Sequence, residues 1–275
     1  MSGSSPSSAA IGLDLGASLT KAVLLDGDAL AEDAHLPAGD SAALEAWLAG
    51  RAEPIFATGA GARALAGRHS ASLVPEFEAW GAGEALLLAR AALEVPFPHL
   101  LVSLGTGTSI FRVEAPGKAT RVGGTALGGG TLAGLGGLLS GPATHAERAA
   151  LAARGDRSRV DLFVRDLYPH DDLPLAKDLT AANFGKALST EPADLALALA
   201  HLVGENVGLL AGSLARDLDA PRAVVYAGST FEGHDALTNA VFRATRTAGA
   251  TPLLLPLGGL TGAVGAVCYA RSSPR

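Results

Sequence analysis

The sequence predicts an α/β fold built from two similar lobes with a cleft between them. Segments typical of strands and segments typical of helices alternate along the chain, which is the pattern of α/β proteins. A hairpin with a turn of small residues at positions 11–26 has a second copy at positions 101–113. The chain of 275 residues is long enough for each lobe to bury a core of its own. These observations together indicate a duplicated domain.

The first hairpin runs from Ile11 to Asp26 and joins two apolar runs through Gly16-Ala17-Ser18. This pattern predicts two antiparallel strands. Small side chains at the bend let an anion approach the backbone N–H groups, and an array of such groups cradles phosphate. Asp14 can hold a hydrated Mg²⁺ there, and Lys21 can place a cation beside the phosphates. An ordinary hairpin with a charged tip has the same pattern, so this stretch alone does not decide.

The second hairpin, at positions 101–113, repeats the layout of the first. Gly105 aligns with Gly16, and Ser103 aligns with Asp14. Two hairpins of one design would offer their backbone amides to the phosphates of one nucleotide from opposite sides of a cleft.

Composition and charge argue against several classes of partner and site. The net charge of −6 suggests neither a nucleic acid nor an acidic membrane as partner. The single cysteine, Cys268, allows no intrachain disulfide and no cysteine-based metal site, and it fits the cytosol. Residues 1–10 are rich in serine and are predicted to form a disordered tail rather than a signal peptide. Two uncharged stretches, 122–144 and 251–270, are broken by glycines and are not predicted to cross a membrane.

After the first hairpin the pattern predicts alternating strands and helices up to residue 93. The predicted elements are a strand at 29–36, a helix at 41–51, a strand at 54–58, a short apolar segment at 72–75 and a helix at 80–93. Asp40 is the predicted N-cap of the first of these helices. The border between the lobes is predicted near 96–99, which divides the chain into a tail (1–10), an N-terminal lobe (11–96) and a C-terminal lobe (97–275).

The second lobe is predicted to continue with a glycine-rich loop at 121–131. A helix at 131–139 would begin at this loop, and its N-terminal amides would form an anion site. The remaining predictions are a helix at 143–154 with His145 in its first turn, short helices and loops at 155–183, a long helix at 193–218, a strand at 223–227, a helix at 236–247, a strand at 253–255 and a final helix.

Taken together, these motifs resemble those of the type II pantothenate kinases, a family in the superfamily of acetate and sugar kinases, heat-shock chaperones and actin. The segments that carry the resemblance are Asp14 to Lys21, Leu104 to Ser109, Arg121 to Thr131, Gly155-Asp156, Asp178 to Gly185, Val224 to Phe231 and Gly262 to Ala266. The resemblance implies two actin-like, ribonuclease H-like lobes with mixed sheets flanked by helices and ATP in the cleft. It also implies transfer of the γ-phosphoryl group of ATP to the primary hydroxyl of pantothenate, the first step of coenzyme A biosynthesis. Members of the family are homodimers through a helix such as 193–218, and we expect a cytoplasmic enzyme.

The resemblance assigns roles to individual residues. Glu76 matches the catalytic glutamate, Arg121 and Ser109 match substrate-binding positions, and Asp14 would hold Mg²⁺, through water. The positions that would bind ATP are Asp14, Leu15, Gly16, Ala17, Ser18, Leu19, Thr20, Lys21, Thr106, Gly129, Gly130, Thr131, Leu132, Ala133, His145 and Ser229.

Several of these positions leave alternatives open. From the residues alone, Glu76 could be a solvated acid at a helix start, and Arg121 a surface charge at a strand edge. Glu78 stands where relatives have aspartate and is an alternative base. His145 stands where relatives have a tyrosine, and it either stacks on the adenine or is a surface histidine.

Two other functions remain as alternatives to pantothenate phosphorylation. One is another small-molecule kinase of the superfamily, such as an N-acetylhexosamine kinase, which would take its base from an aspartate in a polar loop; no such loop is found. The other is a non-catalytic, actin-like nucleotide-binding protein, which would lack the base or the Mg²⁺ carboxylate. Both Glu76 and Asp14 are present, which favours an enzyme.

Overall fold

The computed structural model describes residues 9–141, 143–168, 170 and 176–272. The strands in these ranges are β1 (Ala9–Leu15), β2 (Leu19–Asp26), β3 (Ala29–Pro37), β4 (Ile55–Thr58), β5 (Ala71–Leu73), β6 (His99–Leu104), β7 (Thr108–Ala115), β8 (Lys118–Thr125), β9 (Leu162–Phe163), β10 (Thr180–Ala182), β11 (Ala223–Ala227) and β12 (Thr251–Leu254). The α-helices are α1 (Ser41–Leu48), α2 (Ala62–Ala66), α3 (Glu76–Arg90), α4 (Gly129–Ser140), α5 (His145–Ala152), α6 (Val164–Leu167), α7 (Pro192–Leu214), α8 (Asp235–Thr247) and α9 (Thr261–Ser272).

Two five-stranded sheets of the same design carry the fold. The first has the order β3-β2-β1-β4-β5 and the second the order β12-β11-β6-β7-β8. In each sheet a central strand, β1 or β6, pairs with an antiparallel hairpin on one side and with parallel strands on the other. The repeated topology confirms the prediction of an α/β fold with two mixed sheets flanked by helices.

Helices α3 and α9 lie between the two sheets and join them into one core. Apolar side chains of both helices form one buried cluster with residues of β1 and β2 from the first sheet and of β6, β7 and β11 from the second. The helices cross at small residues: a Cβ at Gly265 would lie 1.6 Å from the Ala79 carbonyl oxygen, and one at Gly83 would lie 2.0 Å from the Thr261 carbonyl oxygen. The last helix of the chain therefore packs beside the first sheet, although the predicted division at residue 96 assigns it to the second lobe.

The outer faces of the sheets are covered by the remaining long helices. Helices α1 and α2 bury leucines and alanines against β1, β2 and β4. Helices α4, α7 and α8 cover the second sheet, where Leu199, Val203 and Val207 of α7 are fully buried. The segment Pro192–Asp217 is long and apolar enough to cross a membrane, but more than half of its most apolar stretch is buried inside the protein, as expected of a core helix.

Several predicted element bounds were wrong for local physical reasons. Helix α3 begins at Glu76 rather than at residue 80, because Pro75 is its N-cap residue and acids favour the first turn. Helix α1 ends at Leu48 rather than at residue 51, just before Gly50 with a φ of +77°.

Residues 121–125 are strand and not loop. Glycines in this stretch tolerate pairing with β7, in which Ser109 lies opposite Gly124 and Phe111 lies opposite Arg121. Helix α4 accordingly begins at Gly129, two residues earlier than predicted. The segment 155–183 contains the predicted short helices and also a two-stranded ladder of β9 with β10, which was missed because its strands are only two and three residues long.

At the N-terminus Ala9 and Ala10 already belong to β1, so the predicted tail is shorter than 1–10, and residues 1–8 lie outside the described ranges.

Candidate active site

Both hairpin turns line one cleft between the sheets. Ser18 Oγ, in the turn between β1 and β2, lies 2.7 Å from Thr106 Oγ1, in the turn between β6 and β7. The cleft has a volume of about 920 Å³, within the range of ligand pockets, roughly 300–1,000 Å³. The two turns that the sequence predicts to face each other are therefore in contact.

Asp14 is held at the floor of the cleft by groups of opposite charge. Its carboxylate is 5% exposed, and its Oδ2 accepts a hydrogen bond from Lys21 Nζ at 3.3 Å. The start of α9 lies against the same oxygen, because a Cβ at Gly262 would be 2.9 Å from Oδ2. A helix N-terminus carries partial positive charge, so Asp14 lies between two positively charged neighbours.

Gly59 is needed for this arrangement in two ways. Its φ of +88° lies in the left-handed region, which glycine enters without steric cost. A Cβ at Gly59 would also lie 2.7 Å from the Leu15 carbonyl oxygen and 2.9 Å from Asp14 Oδ1. The turn after β4 therefore fits against Asp14 only without a side chain.

Glu76 is the first residue of α3 and lines the same cleft. Partial burial in the cleft and the neighbouring charge of Asp14 raise the pKa of the Glu76 carboxyl, and Lys21 opposes this shift. The side chain reaches solvent in the open cleft, yet the surrounding protein still disfavours its charge. A raised pKa makes the carboxylate a stronger base, which suits it to accept a proton from an alcohol. Glu78, about 200° further round the helix, does not line the cleft.

Arg121 lies in β8, a strand that packs beside α3. The ring centroids of Phe77 in α3 and Phe111 in β7 are 5.3 Å apart, and Arg121 is paired with Phe111 in the sheet. A Cβ at Gly124 would lie 2.6 Å from Arg121 Nη2, so the guanidinium packs against that glycine. The cation is thereby directed into the cleft near Ser109.

The first amides of α4 are used inside the protein. Gly129 N donates to the Gly105 carbonyl at 2.8 Å, and Gly130 N donates to the Thr106 carbonyl at 2.9 Å. These bonds fix the second hairpin turn to the start of α4. The anion site predicted at the start of α4 is thus reduced, since two of its donors already have acceptors.

His145 is the first residue of α5 and also lines the cleft. Its Nε2 donates to the Glu232 carbonyl oxygen at 2.9 Å, and its ring meets the ring of His234 edge-on at 5.6 Å. Burial, with smaller contributions from the nearby His145 and Arg148, lowers the pKa of His234 to about 4, so that ring is neutral at physiological pH. Glu232 Oε1 lies 3.8 Å from Nε2 of His35 in β3, which links the two sides of the cleft.

Most of the predicted site residues line this cleft. Those that do are Asp14, Gly16, Ala17, Ser18, Leu19, Lys21, Glu76, Thr106, Ser109, Arg121, Gly129, Leu132, Ala133, His145 and Ser229. Those that do not are Leu15, Thr20, Gly130 and Thr131. Leu15 and Thr20 pair with each other across β1 and β2, and both are buried beneath the turn.

The cleft also includes residues that the sequence analysis did not single out, namely His35, Trp80, Arg148, Thr230 and Glu232. Thr230 lies within the segment Val224 to Phe231, and the other four belong to no motif with recognisable spacing. They reach the cleft because distant elements converge, which single-sequence patterns do not reveal.

The donor set in the cleft suits a hydrated magnesium ion better than a fully protein-ligated metal. Within the described ranges no group of three or more histidine, cysteine, aspartate or glutamate side chains could hold a metal ion. Mg²⁺ retains several waters and is usually held by one or two carboxylates together with substrate phosphates. Asp14, with the small residues Gly16 and Gly59 around it, fits that kind of site.

Comparisons with known proteins agree with the geometry. A family model described as Fumble matches residues 83–269. A type II pantothenate kinase of Oceanobacillus iheyensis is 36% identical over 197 residues, which cover 70% of this chain and 73% of that protein. A type II pantothenate kinase of Staphylococcus haemolyticus is 32% identical over 265 residues, covering 94% of this chain and 98% of that protein.

Solved structures support the fold. The activator of 2-hydroxyisocaproyl-CoA dehydratase from Clostridium difficile with bound ADPNP aligns over 95% of this chain and 94% of its own, with a TM-score of 0.65 and 15% identity. A ROK family glucokinase from Streptomyces griseus in complex with glucose and AMPPNP aligns over 96% of this chain and 100% of its own, with a TM-score of 0.56 and 16% identity.

Proposed function

The chain belongs to the type II pantothenate kinase family, and on that premise we propose that it transfers the γ-phosphoryl group of ATP to pantothenate, the first step of coenzyme A biosynthesis. The observation that carries this proposal is the contact between Ser18 and Thr106, which joins the two hairpin turns at one cleft. The same cleft holds a carboxylate with a raised pKa, Glu76, beside a buried carboxylate, Asp14. Phosphoryl transfer requires mainly positioning and charge neutralisation, and these groups supply both.

The two hairpins would hold the β- and γ-phosphates of ATP between them. Their small residues expose backbone N–H groups, and Lys21 adds a cation close to Asp14. When bound with ATP, Mg²⁺ would be held by Asp14 through water, and it supplies charge neutralisation on the phosphates. The Lys21 ammonium can then donate either to Asp14 or to a phosphate oxygen of the nucleotide.

Glu76 would accept the proton of the pantothenate hydroxyl as that oxygen attacks the γ-phosphorus. The O–P bond forms as the bond from the γ-phosphorus to the leaving ADP oxygen breaks, and the proton ends on the Glu76 carboxylate. Arg121, which lines the cleft beside Ser109, would hold polar oxygens of pantothenate and of the transferring group. A planar guanidinium suits this task, because it can donate to two oxygens at once.

We further propose that the enzyme is a cytoplasmic homodimer. Leucines on neighbouring helices α4 and α7 are exposed in the single chain, namely Leu135, Leu138, Leu139 and Leu209, with Leu138 84% exposed. Large exposed apolar patches mark interaction sites, and these exposed leucines on two packed helices are candidates for one. Helix α7 also carries Glu205, which interacts with groups of the same chain. Burial favours its protonated form, but hydrogen bonds from His201 and Thr180 and the charge of Arg157 hold the pKa of Glu205 below its usual value.

The experiment that tests the proposed function is a coupled assay of ADP release with the purified protein. Pantothenate and a panel of sugars, including N-acetylhexosamines, are offered as acceptors at equal concentration. We expect ADP release that depends on pantothenate and no comparable release with any sugar. Release that is faster with a sugar would replace the proposal with a sugar kinase, and release with no acceptor would indicate an ATPase.

A further inference from the structure

Arg148 is a buried cation at the cleft that the mechanism above does not use. Its side chain is 6% exposed, and the residue lies in α5, one turn after His145. Nη2 donates to the Ala143 carbonyl oxygen at 2.6 Å, whereas Nη1 is buried and has no hydrogen-bond partner within the described ranges. Buried donors are almost always paired, so an unpaired one at a binding cleft needs an explanation.

Among the residues that the structure describes, no carboxylate forms an ion pair with this guanidinium, although its charge acts on the adjacent Glu147. Glu147, the adjacent residue, accepts from Thr144 N at 2.7 Å and from Thr144 Oγ1 at 2.9 Å, and so caps the start of α5 instead. In the described part of the chain Arg148 forms no ion pair with a carboxylate. The guanidinium lines the cleft without a paired acid, and a ligand reaches the buried Nη1 when the flexible arginine side chain shifts on binding.

The position of the guanidinium is set by a glycine on the neighbouring helix. A Cβ at Gly136 of α4 would lie 2.5 Å from Arg148 Nη1 and 2.9 Å from its Cδ. Gly136 therefore leaves the space that the arginine occupies. The helix carries no side chain at this point that could offer an acceptor to Nη1.

The same glycine places Arg148 away from the phosphate turns. Gly136 follows Gly129 by seven residues, which corresponds to about 10 Å along the axis of α4. Gly129 is the end of α4 that is bonded to the second hairpin turn. A nucleotide with its phosphates at the two turns would extend its base toward the part of the cleft that His145 and Arg148 line.

We propose that Arg148 positions the nucleobase and contributes to base specificity, with Nη1 donating a hydrogen bond to a ring nitrogen of adenine. The proposal rests on the proposed nucleotide site. A guanidinium can donate but cannot accept, so it would pair with a ring nitrogen and not with the exocyclic amine of adenine. The bond would be charge-assisted, and would satisfy the donor that the protein alone leaves buried without a partner.

Three variants separate this role from a general structural one. Arg148→Met keeps the aliphatic stem and removes the donors. Gly136→Ala keeps the arginine and displaces its guanidinium, because the flexible side chain yields before the backbone of α4. Arg154→Met, at an exposed arginine shortly after α5, is the matched control.

Binding of ATP is measured by calorimetry, and KM for ATP, KM for pantothenate and kcat are measured separately. Loss of one charge-assisted hydrogen bond predicts about a tenfold to hundredfold rise in the Kd and KM for ATP in Arg148→Met. Gly136→Ala should change these constants in the same direction, and Arg154→Met should leave them as in the wild type. KM for pantothenate should not change in any of the three.

Analogues of ATP then identify the acceptor. In 1-deaza-, 3-deaza- and 7-deaza-ATP one ring nitrogen is replaced by C–H. The wild type should bind one of the three more weakly than ATP, and Arg148→Met should bind that analogue as well as it binds ATP. Such coupling between a side chain and one ligand atom is what a double-mutant cycle detects.

The proposal is overturned if each analogue binds more weakly than ATP by the same factor in the wild type and in Arg148→Met. It is also overturned if Arg148→Met lowers Tm and changes kcat and both KM values together, since that pattern indicates a structural role. Failure of the proposed function is a separate result, because it would appear as a wild type without pantothenate-dependent ADP release. An active wild type without analogue coupling removes only the role of Arg148.

Discussion

Replacing Glu76 by glutamine removes the proton acceptor while keeping the size and shape of the side chain. General base catalysis by a positioned group typically contributes about 10²–10⁴-fold to the rate. This corresponds to about 3–6 kcal/mol of transition-state stabilisation, at about 1.4 kcal/mol for each factor of ten. We therefore expect kcat of Glu76→Gln to fall by about that factor. The Kd for ATP should remain as in the wild type, because the hairpins and not Glu76 are proposed to hold the phosphates.

The pKa of Glu76 supplies an independent signature of the same role. Burial and the charge of Asp14 raise this pKa above the ordinary glutamate value of 4.5. Since the base acts as carboxylate, kcat/KM for pantothenate should fall as the pH drops through this raised pKa, and Glu76→Gln should lack that limb. When the pKa of a carboxyl is higher in the folded state than in the unfolded state, the protein loses stability as the pH rises through the folded-state pKa. Glu76→Gln should therefore melt at an equal or higher temperature than the wild type at pH 8, a gain that disappears below about pH 4.5.

The assay is coupled ADP release over pH 4.5–9, with calorimetry for ATP and thermal melting for stability. Glu78→Gln is the matched control, because Glu78 lies on the same helix outside the cleft. Near-normal kcat in Glu76→Gln, or a large loss in Glu78→Gln, would refute the assignment of the base. A lower Tm in Glu76→Gln would show that its loss of activity has a structural cause.

Three further predictions concern the cleft and the surface. Gly59→Ala should lower the free energy of unfolding in urea by more than Gly39→Ala does. Both positions have a positive φ, which costs alanine about 1–2 kcal/mol, but of the two only Gly59 lacks space for a Cβ. Equal losses of unfolding free energy would contradict the close contact of Gly59 with Asp14. Arg121→Ala should raise KM for pantothenate and lower kcat together, by about tenfold or more, because a charged hydrogen bond is lost. Arg112→Ala is the control and should change neither constant, since Arg112 lies in the adjacent strand and is paired with Glu114. Changes in KM and kcat that appear in Arg112→Ala and not in Arg121→Ala would refute the assignment. Leu138→Asp on α4 should convert the dimer to a monomer, as measured by light scattering at micromolar concentration. Leu254→Asp in the edge strand β12 is the control and should remain a dimer. A wild type that is already monomeric would end the proposal of a homodimer.

Much of the architecture could be predicted because local patterns and tertiary structure agree. The strand at 223–227 has the predicted bounds, and both hairpins form as expected, since apolar runs and small-residue turns are strong local signals. Asp40 caps its helix by accepting from Ala43 N at 2.9 Å, as its position in the sequence predicts.

Other features depend on contacts that no local pattern records. Residues 121–125 look like a loop because of their glycines, and only pairing with β7 makes them a strand. Helix α9, the last in the chain, returns to pack beside the first sheet, so that lobe boundaries along the sequence and packing in space differ. Arg148 looks like an ordinary charge on an amphipathic helix, and only Gly136 on another helix explains why it is buried.

The central claim is that the two hairpin turns hold one ATP so that its γ-phosphoryl group reaches the hydroxyl of pantothenate. The measurement that tests it most directly follows the γ-phosphorus itself, with γ-labelled ATP, pantothenate and the purified protein, and products separated by mass. We expect label on the primary hydroxyl of pantothenate, with one labelled product for each ADP formed. Label that appears only in inorganic phosphate, or on a sugar in preference to pantothenate, would contradict it.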